Sequence, residues 1–82
     1  MKTYNYGIHL EPEPEGGFTV TVPALPGCVT WGKNYEHALE MAQECIVGFL
    51  EALDKAGQPI PTESVPAKPM DAVIQVKAAV AA

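Results

Sequence analysis

Basic residues are scarce in this chain. It contains 5 lysines and arginines against 10 aspartates and glutamates, which gives a formal net charge of −5. Proteins that bind nucleic acids gain much of their affinity from basic side chains that neutralise phosphates, so a direct nucleic-acid partner is disfavoured. A basic protein is the favoured partner, because opposite charges speed and orient the encounter of two proteins.

Cysteines and long apolar runs are also few. The sequence has 2 cysteines, Cys28 and Cys45, and no apolar leader segment follows Met1. Reduced thiols in a cytoplasmic protein are therefore expected. The longest apolar run, residues 78–82, is far too short to cross a membrane.

The chain is short but apolar enough to form a core. Hydrophobic residues make up 48% of the 82 residues and charged residues 18%, a balance that argues against disorder. We predict a single domain over residues 1–82. A domain of this size has little spare stability, so we also predict a homo-oligomer, a dimer or higher.

Alternating apolar and polar residues predict an antiparallel hairpin at the start of the chain. Residues 4–10 alternate with a period of two, and so do residues 18–22. Between them, residues 11–17 contain two prolines and a double glycine, which favour a turn. A Pro-Gly turn then leads to a short third strand over residues 28–31.

The second half of the sequence predicts a helix and a last strand. Asn34 is a good N-cap, the helix should run over residues 35–56, and Gly57 suits its C′ position. Residues 72–78 predict the last strand, although this segment would also tolerate a helix. The order β-β-β-α-β predicts an α+β fold, an antiparallel sheet with the helix packed on one face.

The predicted helix has an apolar face and an acidic face. At about 100° per residue, nine residues share an arc of roughly 120° that should lie on the sheet. They are Tyr35, Ala38, Leu39, Ala42, Ile46, Phe49, Leu50, Leu53 and Ala56. The opposite arc contains Glu36, Glu40, Glu44, Val47, Glu51 and Asp54.

Several segments in a fixed order resemble one protein family. They are the opening strand 4–10, EGGFTV (15–20), PALPGCVTWG (23–32), the helix start 35–38 and GQPIP (57–61). Together they resemble the N-terminal domain of HicB-like antitoxins. The resemblance implies a truncated ribonuclease-H-like fold. It also implies a partner, a small basic toxin (HicA-like) that cleaves messenger RNA and whose active site the antitoxin covers.

Two-domain members of that family carry a C-terminal DNA-binding module. After the predicted last strand, this sequence has only an alanine-rich stretch. We therefore expect no C-terminal DNA-binding domain and no direct DNA binding.

Two groups of residues are candidate contacts. The partner-binding candidates are Glu36, Glu40, Glu44, Val47 and Glu51, since an apolar centre with a charged rim is typical of interfaces. The alternative is an ordinary solvated helix face. The oligomer-contact candidates are Met41, Gly48 and Trp31. Gly48 would instead permit packing against the chain's own loop, and Trp31 would instead be part of the core.

Neither catalysis nor metal binding is predicted. His9, His37, Cys28 and Cys45 lack the close paired spacing of a zinc site. A ribonuclease-H-like active site needs several carboxylates clustered on the sheet, and the strands offer too few. We expect no cofactor and no enzyme activity. Two alternatives stay open: a homo-oligomeric domain that binds a small molecule or RNA and has no toxin partner, and a small hydrolase that has kept its activity.

Overall fold

A computed structural model describes residues 1–61 and 72–80 of the chain. Its elements are β1 (Lys2–Pro12), β2 (Phe18–Thr21), β3 (Val29–Gly32), α1 (Tyr35–Lys55) and β4 (Ala72–Ala78). The strands form a four-stranded sheet in the order β3-β2-β1-β4. All neighbouring strands are antiparallel. The predicted α+β fold is confirmed, and the last segment is a strand.

Strand β1 is long because it pairs with a different neighbour at each end. Its first part pairs with β4, from Lys2 opposite Ala78 to Ile8 opposite Ala72. Its last part pairs with β2, from His9 opposite Thr21 onward. The 11 residues of β1 therefore join the hairpin to the last strand.

The turn between β1 and β2 depends on its double glycine. Gly16 and Gly17 have φ angles of 106° and 82°, a left-handed region that favours glycine. The Glu13 N–H donates to the Gly17 carbonyl at 3.0 Å. The Thr19 hydroxyl donates to the Glu13 carboxylate. A Cβ on Gly17 would lie 2.4 Å from the ring of Trp31, so this glycine also makes room for the tryptophan.

Helix α1 has the predicted caps. The Asn34 Oδ1 accepts a hydrogen bond from the His37 N–H at 2.8 Å, which satisfies a free donor of the first turn. At the other end, the Gly57 N–H donates to the Asp54 carbonyl at 3.1 Å. The Gln58 N–H donates to the Leu53 carbonyl at 2.9 Å. These two bonds form a Schellman motif, which ends the helix.

The apolar face of α1 packs on the sheet. Its buried residues are Ala38, Ala42, Ile46 and Leu50. The predicted burial is wrong at both ends of the arc. Tyr35 is 47% exposed, because it is the first residue of the helix, although its ring contacts Phe18 edge to face. Ala56 is exposed, because it is the C-cap residue.

Close contact between β3 and α1 requires Gly32. A Cβ on this residue would lie within 2.2–2.7 Å of the backbone and side chain of Ala38. Side chains of ordinary size could not replace this pair of small residues without separating the helix from the strand.

Strand β1 also anchors the segment that follows the helix. Tyr6 is fully buried, and its hydroxyl donates to the Pro61 carbonyl at 2.7 Å. This bond satisfies the only polar group of the Tyr6 side chain, so the ring can lie in the core.

Candidate functional site: an acidic helix face beside a groove

The exposed side of α1 carries an acidic face, which we define as Glu36, Glu40 and Glu44. All three side chains are exposed, and their spacing of four residues places them on one side of the helix. Neighbouring carboxylates at this spacing repel one another by a few tenths of a kcal/mol each. Binding of a cation would relieve that repulsion, so the face is suited to a basic partner.

Val47 and Glu51 differ from these three residues. Val47 is half-buried and packs against the core, so only part of its side chain faces outward. The Glu51 Oε2 accepts a hydrogen bond from the Ala79 N–H at 3.0 Å. Glu51 thus fixes the residue that follows β4 to the helix, a contact that the sequence pattern does not reveal. Its carboxylate already has a partner within the chain.

A groove of about 650 Å³ lies between α1 and β4. Its lining comprises Gln43, Glu44, Val47 and Gly48 from the helix with Gln75 and Lys77 from the strand. Glu44 therefore belongs to both the acidic face and the groove. Strand β4 has only β1 as a neighbour in the described sheet, so the groove follows an edge strand.

Gly48 keeps this groove open. Apart from Gly48 itself, its chain neighbours and the adjacent helix backbone, no atom of residues 1–61 or 72–80 lies within 4 Å of a Cβ built on Gly48. Packing of Gly48 against a loop is therefore not seen within residues 1–61 and 72–80, and the predicted loop over residues 62–69 lies outside the described residues. The absence of a side chain instead widens the groove beside Val47.

Trp31 lies at a second concavity, near the β1–β2 turn. Its side chain is 48% exposed, so it is not part of the core. It lines a space of about 430 Å³ with Glu13, Pro14, Glu15 and Gly16. Trp31 and Gly48 thus line separate concavities, and the third oligomer-contact candidate, Met41, is half-buried on the helix.

The structure brings the two cysteines together. The Sγ atoms of Cys28 and Cys45 are 3.0 Å apart and share a hydrogen bond, and both thiols are free. Burial, and then this hydrogen bond, raise the pKa of Cys28 to about 12. One signal was present in the sequence: residue 45 borders Ile46 of the buried helical stripe, so its side chain could reach the sheet.

The histidines do not join the cysteines. His9 is exposed on β1, and the His37 Nδ1 accepts a hydrogen bond from the Lys33 N–H at 3.0 Å beside the helix start. Within the described residues, no group of three or more His, Cys, Asp or Glu side chains is placed to hold a metal ion. In the same part of the chain, no helix is long and apolar enough to span a membrane.

The architecture is that of an antitoxin domain of known structure. The N-terminal domain of Burkholderia pseudomallei antitoxin HicB superposes with a TM-score of 0.72 and 25% sequence identity, over 93% of this chain and 99% of that one. The longer structure of the same antitoxin matches with a TM-score of 0.64 and 27% identity, and 64% of it is covered.

The sequence comparisons give the family. The model of the HicB-like antitoxin of bacterial toxin–antitoxin systems matches residues 6–80. A UPF0150 protein of Synechocystis is 35% identical over 71 residues, which are 87% of this chain and 90% of that protein. Antitoxin HicB 1 of Photorhabdus laumondii is 36% identical over 74% of this chain but only 39% of its own length. This chain belongs to the HicB-like antitoxin family.

Proposed function

We propose that this chain inhibits a small, basic, mRNA-cleaving toxin of the HicA-like kind by binding over its active site. The observation that carries the proposal is the family match over residues 6–80. Membership of an antitoxin family implies a toxin partner in general. The charge and shape of the helix surface support the more specific partner.

Charge complementarity favours a basic ribonuclease. The chain has a net charge of −5, and the acidic face presents exposed carboxylates beside the partly exposed Val47. A ribonuclease must attract RNA phosphates to its active site, so the surface around that site is basic. An acidic antitoxin competes with RNA for that surface, which gives occlusion a physical basis. Because messenger RNA is the target of such a toxin, the two proteins would meet in the cytoplasm.

The groove between α1 and β4 provides the apolar part of this contact. Val47 and Gly48 line it, and Glu44 belongs to both the groove and the acidic face. An apolar centre with a charged rim is the usual anatomy of a protein interface. We propose that Glu36, Glu40, Glu44 and Val47 contact the toxin, and that Glu51 contributes by holding the end of β4 in place.

The test combines the purified chain with a purified HicA-like toxin in an RNA-cleavage assay. The wild-type chain should block cleavage at equimolar concentration. The double charge reversal Glu40→Lys and Glu44→Lys should weaken binding by roughly 10-fold or more, since it replaces attraction by repulsion. The matched control, Glu11→Lys with Glu15→Lys, makes the same change of net charge at the end of β1 and in the turn that follows it, and should leave binding within about twofold.

Three outcomes would count against the proposal. Full inhibition of the toxin by the Glu40/Glu44 variant would show that the acidic face is not part of the interface. An equal loss of toxin binding in both variants would show that the net charge of the chain matters and the position of the charges does not. RNA bound or cleaved by the chain alone, with no effect on any toxin, would support the RNA-binding or hydrolase alternative.

We also propose that the chain self-associates through the sheet face that α1 does not cover. Val29 and Trp31 of β3 and Val73 of β4 are exposed, at 57%, 48% and 65%. Side chains alternate between the two faces of a strand, and the residues next to these three in β3 and β4 are more buried, on the side of the helix. Val29, Trp31 and Val73 therefore lie on the face that α1 does not cover. Trp31→Ala should convert an oligomer to a monomer in light scattering, whereas a wild-type monomer at high concentration would refute self-association.

The same surfaces argue against direct binding of DNA. The carboxylates of the acidic face repel phosphates, and the chain as a whole has twice as many acidic as basic residues, 10 against 5. We propose that this chain binds no DNA by itself. A gel-shift titration at low salt checks this, because electrostatic binding would be strongest there.

A further inference from the structure

The positions of Cys28 and Cys45 are the starting point. Cys28 precedes β3, and Cys45 lies in the middle of α1, yet their Sγ atoms are only 3.0 Å apart. A disulfide requires an S–S distance of about 2.05 Å, so closure needs an approach of roughly 1 Å. The loop that contains Cys28 is held by hydrogen bonds from the Val22 N–H to the Cys28 carbonyl and from the Cys28 N–H to the Leu25 carbonyl.

We propose that Cys28 and Cys45 are a reversible oxidation site, at which a hydroperoxide converts the two thiols into one intramolecular disulfide. The two thiols lose two electrons and two protons, and the peroxide O–O bond is broken. With hydrogen peroxide the products are the disulfide and two molecules of water. A dithiol restores both cysteines by thiol–disulfide exchange. This inference does not depend on the proposed function.

The different exposure of the two thiols sets the order of steps. Cys45 is half-buried, whereas Cys28 is 2% exposed. Burial also raises the pKa of Cys28, which keeps this thiol protonated at neutral pH. Cys45, the more exposed thiol, therefore reacts with the peroxide first: its sulfur attacks one peroxide oxygen, the O–O bond breaks, and a sulfenic acid and one molecule of water form. The Cys28 sulfur then displaces hydroxide from Cys45, and the Cys28 proton converts that hydroxide to water.

The disulfide would join two elements that are separate in the chain. It would fix the loop before β3 to the middle of the helix, one residue from Glu44 of the groove. The two cysteines are 17 positions apart, and a disulfide between them would close a loop that restricts the unfolded chain. By the chain-entropy relation, a loop of this size lowers the unfolding equilibrium constant by roughly 200-fold.

The experiment treats the purified full chain with increasing hydrogen peroxide, blocks free thiols by alkylation under denaturing conditions, and measures mass. The expected product is a monomer that has lost about 2 Da and takes up no alkylating reagent. Proteolysis should yield a peptide that links Cys28 to Cys45. Dithiothreitol should restore both alkylation sites, and the oxidised chain should unfold at higher denaturant concentration.

Two variants distinguish disulfide formation between Cys28 and Cys45 from independent oxidation of each thiol. In Cys28→Ala, Cys45 should still react but should stop at a sulfenic acid or a mixed disulfide. In Cys45→Ala, Cys28 should resist oxidation because it is buried. Wild-type chain that forms Cys45 sulfinic acid or intermolecular dimers, with Cys28 still free, would overturn the proposal. So would thiols that survive peroxide treatment sufficient to oxidise the urea-unfolded chain.

Discussion

The thiol of Cys28 is buried in the folded chain, and burial together with its hydrogen bond to Cys45 raises its pKa from about 9 to about 12. In the unfolded chain the same thiol loses its proton near its ordinary pKa. Between these values the folded state binds more protons than the unfolded state. The contribution of Cys28 to stability is therefore complete below about pH 9 and is lost as the pH rises towards about 12.

An alkaline loss of stability follows for the reduced protein. Each pH unit in this window removes up to about 1.4 kcal/mol from the free energy of unfolding. Urea denaturation with a reductant present, at several values between about pH 8 and pH 11, measures the slope. Cys28→Ala should show a shallower decline, because it lacks the thiol whose ionisation the folded state opposes. Equal slopes for the two proteins would contradict the effect of Cys28.

Gly17 supports a second prediction at the scale of single residues, because the neighbouring Gly16 provides a matched control. Both residues have positive φ, so alanine at either position costs about 1 kcal/mol of backbone strain. Only at Gly17 would the new Cβ collide with Trp31, since at Gly16 no atom beyond the residue and its chain neighbours lies within 4 Å. Gly17→Ala should thus lower the free energy of unfolding by about 1–3 kcal/mol more than Gly16→Ala.

Thermal or urea denaturation of both variants measures that difference. The fluorescence of Trp31 should also change in Gly17→Ala and not in Gly16→Ala. Equal destabilisation with unchanged fluorescence would show that the ring and the turn do not contact each other.

At the scale of elements, Gly48 of α1 and Gly32 of β3 have opposite packing requirements. Gly48 is exposed in the helix and has open space around its Cβ position, so Gly48→Ala should stabilise the protein by about 0.5–1 kcal/mol. Gly32→Ala should destabilise it by about 2 kcal/mol or more, because the new methyl group would overlap the backbone of Ala38.

Urea or thermal denaturation of the two variants tests both the predicted gain of stability in Gly48→Ala and the predicted loss in Gly32→Ala. A destabilising effect of Gly48→Ala would indicate that the helix is packed more closely at this point than described. The binding assay adds a functional measurement, because a methyl group at residue 48 enters the groove. If the groove is the toxin site, Gly48→Ala should weaken inhibition while it increases stability.

The elements could be predicted from local chemistry. The Asn34 cap, the Gly57 end and the alternation in β1 are short-range signals, and the structure confirms each of them. The candidate site was predictable only in part. Helical periodicity placed Glu36, Glu40 and Glu44 on one side, but it could not show that β4 lies beside Val47 and Gly48.

Contacts between distant residues were not predictable in this way. The Cys28–Cys45 pair, the bond from Ala79 to Glu51 and the contact of Gly32 with Ala38 all depend on the angle at which the helix crosses the sheet. No local pattern encodes that angle, because it results from the packing of every core side chain together.

At the scale of the whole molecule, the acidic charge predicts how the chain meets its partner. Association with a basic toxin should be fast at low ionic strength and should slow by roughly 10-fold or more as salt is raised towards about 0.5 M. The dissociation rate should change much less, because short-range contacts determine it. Surface plasmon resonance at several salt concentrations measures both rates.

The charge-reversed Glu40/Glu44 variant serves as the comparison in this series. Its association rate should be lower and should depend less on salt, whereas the Glu11/Glu15 variant should keep most of the wild-type dependence. A wild-type association rate that does not vary with salt would contradict electrostatic guidance of the encounter.

The pairing of β4 with the first part of β1 has a consequence for synthesis on the ribosome. Lys2 is synthesised long before its strand partner Ala78, because most of the domain lies between them in the sequence. Until β4 has been made, the first part of β1, which includes Tyr6, has no strand paired along one of its edges. Because such long-range pairing is slow to form, this part of the nascent chain is exposed to proteases and aggregation until β4 has been made and the sheet can be completed.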